Sequence, residues 1–135
     1  MKMTSIKTLL SIICLSLFAQ FSTAADNPNA AAAGEIAAIV SGMNHWATDE
    51  QKARLREIAA DEALAQGVRD MASTVADIQH FPNDAGKAAM ARIQADENAP
   101  EMGKTLAGVI GNFAHMASDE DKAKLAGMFK ENGAG

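Results

Sequence analysis

Apolar residues recur along this chain at helical spacing, in three successive stretches that superimpose without a gap. In the last stretch Met102, Leu106, Val109, Ile110 and Phe113 fall at i, i+4, i+7, i+8 and i+11, which is one buried face of an amphipathic helix. After a polar interval, Leu125, Met128 and Phe129 mark one face of a second helix, with Asp119, Glu120 and Lys122 left to water. A shift of 35 residues carries the pattern onto the rest of the chain. Ile36, Met71 and Leu106 then share a column, as do Val40, Val75 and Ile110; Met43, Ile78 and Phe113; Leu55, Met90 and Leu125; and Ile58, Ile93 and Met128.

The same shift aligns four identical columns, namely His45, His80, His115; Asp49, Asp84, Asp119; Lys52, Lys87, Lys122; and Ala53, Ala88, Ala123. Thr48, Asn83 and Ser118 occupy the column before the aspartates. All three residue types cap helix N-termini well, and an acidic residue in the first turn favours the helix dipole. Each unit therefore reads as two helices, with the histidine ending the first and the cap opening the second. Asp61-Glu62 and Asp96-Glu97 mark the boundaries between units, Pro100 suits a first helical turn, and Gly133 suits a helix stop.

Three tandem hairpins of this kind predict an all-α protein. The expected form is a short α-solenoid, with a compact six-helix bundle of approximate threefold internal symmetry as the alternative. The units run over about 34–68, 69–103 and 104–135 within a single domain spanning 34–135. The signature positions of tetratricopeptide repeats, which have a similar unit length, are not matched.

The N-terminus has a different pattern. Lys2 and Lys7 precede an apolar run from Leu9 to Phe21 and the small residues Ser22-Thr23-Ala24-Ala25. That is the layout of a secretory signal peptide over 1–24, with cleavage after Ala24 favoured and cleavage after Ala25 a close second. A short leader, 25–33, would follow. The apolar run is shorter than the roughly 20 residues that span a bilayer, so no membrane association is expected after its removal. The expected location is periplasmic or secreted. Cys14, the only cysteine, would leave with the signal, and the mature chain would have neither a disulfide nor a thiolate ligand.

Loss of Lys2 and Lys7 leaves 10 Lys and Arg against 17 Asp and Glu, a formal charge of −7. That charge disfavours nucleic acid and anionic lipid as partners. With no Cys-x-x-Cys-His there is no covalent haem, and no nucleophile–base motif, phosphate loop or His-Glu-x-x-His is present. The chain therefore reads as a non-enzymatic binding or interaction protein for an unidentified protein or small ligand.

The triplicated histidines are the candidates for chemistry. The leading expectation is a turn role, with each imidazole hydrogen-bonding the last carbonyls of its helix. The rival is binding of a metal ion, copper or zinc, or of a metallocofactor through His45, His80 and His115; beyond that no cofactor is expected. Equivalent helices in a solenoid lie about 8–10 Å apart, whereas Zn–N bonds are about 2.0–2.1 Å. Only a closed threefold arrangement would direct all three rings at one centre. A copper version adds the soft thioethers of Met43 and Met116, although both are expected to be core filler. The Asp–Lys pairs read as helix-surface pairs at i, i+3. Trp46, Phe81 and Met116 are expected to plug the interfaces between hairpins, or to form a partner surface.

Overall fold

A computed structural model describes residues 27–133, with side chains to Met128. The expected signal peptide and its cleavage site lie outside the described residues, as do the first two residues of the leader. Six helices are described: α1 (Pro28–Gly42), α2 (Asp49–Ala60), α3 (Gln66–Ala76), α4 (Asp84–Ala95), α5 (Glu101–Gly111) and α6 (Asp119–Gly133). None is long and apolar enough to cross a membrane.

The caps explain where the second helices start. The Thr48 hydroxyl accepts from the Gln51 N–H at 3.2 Å, and the Gln51 side chain accepts from the Thr48 N–H at 2.9 Å. Two backbone donors are thus satisfied reciprocally. The Asn83 carboxamide accepts from the Gly86 N–H at 2.7 Å, and the Ser118 hydroxyl from the Asp121 N–H at 3.1 Å. At the other end of the chain, α1 starts well before residue 34. Asn27 caps it, Pro28 occupies its first turn, and the alanines expected as leader continue it, with Ala32 and Ala33 buried. Alanine is the strongest helix former, and these side chains are small enough to sit against neighbouring helices.

The core follows the apolar columns. Ile36, Val40, Leu55, Met71, Val75, Ile78, Met90, Leu106, Ile110 and Leu125 are all at most 2 % exposed. Each contributes about 1.5–3 kcal/mol relative to an exposed position. The last column fades outward, since Ile58 is buried whereas Ile93 and Met128 are only partly so.

Helices α1, α3 and α5 touch one another. Around them α2 packs on α3, α4 on α3 and α5, and α6 on both α5 and α1. Contact of α1 with α5 and α6 joins the first described helix to the last two, which an open row of three hairpins would keep apart. The chain is accordingly a six-helix all-α bundle. Helices α3 and α4 come close together at Gly86, where a Cβ would lie 2.7 Å from the Thr74 methyl group.

Candidate metal centre

Helices α1, α3 and α5 all run toward one end of the bundle, and there each chain segment turns through a histidine. After α1, Met43 is extended and buried, and its N–H reaches the Val40 carbonyl. Two residues on, His45 has φ of 69°. His80 and His115 have φ of 69° and 62°, and these three are the only non-glycine residues with positive φ among those described. Trp46 N–H donates to the Asn44 carbonyl at 2.9 Å and Met116 N–H to the Ala114 carbonyl at 2.6 Å, closing three-residue turns around His45 and His115. Such a turn with positive φ at its centre is the rare and strained kind. Glycine takes this conformation without steric cost, and any residue with a Cβ is penalised.

The three turns are tied into a ring by the histidine backbones. His45 N–H donates to the His115 carbonyl at 2.5 Å, His115 N–H to the His80 carbonyl at 2.7 Å, and His80 N–H to the His45 carbonyl at 2.9 Å. Every histidine donates once and accepts once, so the cycle closes with no free end. The expected turn role for the imidazoles is corrected here. The helices end at Gly42, Ala76 and Gly111, three or four residues before the histidines, and the backbone of each histidine makes the inter-segment bonds. The rings are left to meet one another.

They do so edge to face. Ring centroids are 5.0 Å apart for His45–His80, 5.2 Å for His45–His115 and 5.2 Å for His80–His115, with interplanar angles of 81°, 74° and 71°. One nitrogen from each ring lies within 4.8 Å of the other two, and no carboxylate joins the group. The Nδ1 atoms of His80 and His115 are 3.2 Å apart. Two nitrogens bound tetrahedrally to one zinc ion would be about 3.3 Å apart, given Zn–N bonds of about 2.05 Å. The pair already has that separation.

A rim of large apolar side chains surrounds the rings. Trp46, Phe81 and Met116, each directly following a histidine, are 51 %, 49 % and 48 % exposed. The Trp46 ring meets His80 edge to face at 5.4 Å, and Phe81 meets His115 in the same way at 4.9 Å. Met116 pairs through its backbone with Asn44, next to His45. These three side chains therefore do not plug the hairpin interfaces. They form a half-exposed collar because the turns aim them outward while the residues before the caps, Ala47, Pro82 and Ala117, are buried. Met43 is 3 % exposed in the core, as its column with Ile78 and Phe113 implies, and is separate from the collar.

The Asp–Lys columns form no ion pairs with each other among the described residues. Asp49, Asp84 and Asp119 instead open their helices, and the lysine N–H groups bond the carbonyls of the cap residues. What sequence reasoning missed is the backbone cycle and its three positive φ angles. One sign of it was present: a repeated turn column that holds histidine, where glycine or asparagine is the ordinary choice. No protein-family model, curated protein or solved structure matches the chain.

Proposed function

We propose that this protein binds one transition-metal ion, zinc or copper, through His45, His80 and His115. The observation that carries this reading is the convergence of the three rings on one point from backbone positions that cost strain. A side chain placed repeatedly at positive φ, where glycine would be easier, indicates that the imidazole itself is needed. Neutral imidazole suits zinc and copper ions. Three ligands held by a closed backbone cycle are also preorganised, so little ordering is left to oppose binding.

The finer architecture belongs to the same proposal. Three 35-residue helical pairs close head to tail, so that equivalent turns meet at the centre and each supplies one ligand. The basic start, apolar run and small-residue site over 1–24 support export to the periplasm or beyond. The apolar collar also suits the interaction role expected from the sequence, as a contact for a protein that supplies or receives the ion.

Thermal unfolding tests the reading. An ion that prefers the folded state at about 100 times its Kd adds about 2.7 kcal/mol. For a domain of this size the melting temperature should rise by about 10 °C or more. An unchanged melting temperature with zinc and with copper would refute metal binding.

A further inference from the structure

We propose a second binding site, for a small apolar amine, at the end of the bundle opposite the histidines. It is independent of the metal-binding reading.

The site is a cavity of about 410 Å³ where the first turns of α1, α3 and α5 come together. Small-ligand pockets span about 300–1,000 Å³. Two sets of residues spaced 35 apart line it, namely Ala30 with Ala65 and Pro100, and Ala33 with Val68 and Gly103. One turn deeper, Ile36, Met71 and Leu106 close the interior and are at most 2 % exposed. Nearer the end of the bundle four of the six residues are alanine or glycine, and side chains of that size leave the space between the helices unfilled.

The same end lacks one tie. Helices α1 and α3 are joined there by the Ala65 N–H, which donates to the Asn29 carboxamide oxygen at 2.7 Å. The residues 35 positions on are Pro100 and Leu64. Proline has no N–H and leucine has no side-chain acceptor, so no matching bond draws the start of α5 against α3. Pro100 also leaves α5 without a side-chain cap.

The lining assigns the class of ligand. Ala33, Val68 and Met71 are buried and Ile93 is partly buried, which suits an apolar body. Asp96 is the only charged residue that lines the cavity, and no lysine or arginine joins it. One Asp96 oxygen accepts from the Asn98 N–H at 2.9 Å, and the carboxylate takes part in none of the ion pairs among the described residues. An ammonium group on the ligand would gain a counter-charge at this exposed margin, and an anionic group would meet a like charge.

Isothermal titration of the metal-free full chain with three isosteric probes tests the proposal: 1-naphthylmethylamine, 1-naphthalenemethanol and 1-naphthoate. The amine should bind one per chain with a Kd of about 1 mM or tighter. It should bind about threefold tighter than the alcohol and about tenfold tighter than the carboxylate. Asp96→Asn keeps an acceptor for the Asn98 N–H and should bring the amine and the alcohol to within about twofold. A Cβ at Gly103 would meet only the Pro100 ring, at 3.9 Å, so Gly103→Leu can fill the cavity; the melting temperature should hold or rise while amine binding falls at least about tenfold. Trp46→Ala, at the far end, should leave the amine affinity unchanged. Binding of none of the probes would reduce the cavity to a packing gap. Binding that survives Gly103→Leu, or is lost in Trp46→Ala, would place the ligand elsewhere, and a carboxylate bound as tightly as the amine would overturn the assigned class.

Discussion

The Nδ1 atoms of His80 and His115 lie 3.2 Å apart because the backbones of the two residues are hydrogen-bonded to each other. The His115 N–H donates to the His80 carbonyl at 2.7 Å, which fixes the two Cα positions before any side-chain contact is made. His45 closes the cycle on both sides. Two rings at this distance, with one proton between their facing nitrogens, form a hydrogen bond; a metal ion would take the place of that proton. Stability and ligand geometry are thereby separable, since the cycle uses only main-chain atoms and the ion only side-chain atoms.

That separation gives the first prediction. His80→Gly keeps every bond of the cycle and removes the penalty for a Cβ at φ of 69°. Stability without metal should change by less than about 1 kcal/mol, or rise, because relief of strain offsets the added freedom of glycine in the unfolded chain. His80→Val should instead lower it by about 1–3 kcal/mol, since a β-branched residue tolerates this conformation least. Urea unfolding distinguishes the two. A loss of several kcal/mol in the glycine variant would show that the rings, and not the main chain, hold the turns together.

A second prediction concerns the close approach of α3 and α4 at Gly86. Gly86→Ala places a methyl group 2.7 Å from the Thr74 methyl in a buried position, so something must shift. The expected cost is about 1–3 kcal/mol, despite the higher helix propensity of alanine. Thr74→Ser removes the opposing methyl and keeps the hydroxyl, and in that background the cost should fall substantially. A double-mutant cycle measures the coupling. Additive effects would mean that the two helices adjust independently of this contact.

Acid stability supplies the third. Both Glu35 oxygens accept from Arg54, at 2.7 Å each, and these hydrogen bonds hold the Glu35 carboxyl below its ordinary range, against a smaller opposing effect of burial. A carboxyl depressed in the folded state adds stability that is complete above its unfolded pKa and lost as pH falls through the folded value. Stability should therefore drop more steeply between about pH 5 and pH 3 in the natural protein than in Arg54→Met. Both partners are nearly half exposed, so the difference should be small and should shrink in high salt. Parallel acid limbs for the two proteins would remove the pair from the account.

The helices were legible in the sequence because caps and apolar spacing are local signals. Thr48, Asn83 and Ser118 announce their helices, and the columns of Val40 and Leu55 announce the core, through chemistry that acts over a few residues. The start of α1 was less clear, since four alanines carry helix propensity but no amphipathic pattern, and their burial depends on helices distant in the chain. The equal spacing of His45, His80 and His115 drew attention to the right residues. Whether they converge depends on α6 and α5 returning to α1, a long-range contact that no local pattern specifies. The outward placement of the collar was not legible for a related reason: Trp46 and Phe81 look like core residues by type, and only the turn conformation at the preceding histidine directs them outward.

The most direct test of the central claim is a titration that counts ions and assigns ligands. Isothermal titration of the natural protein with zinc, and with copper(I) under anaerobic conditions, should give one site per chain for the ion that binds. His45→Gly, His80→Gly and His115→Gly should each weaken that site by about two orders of magnitude or more while circular dichroism stays unchanged. Three sites per chain, binding that survives any one of the three substitutions, or no binding by either ion would contradict a single centre built from these histidines.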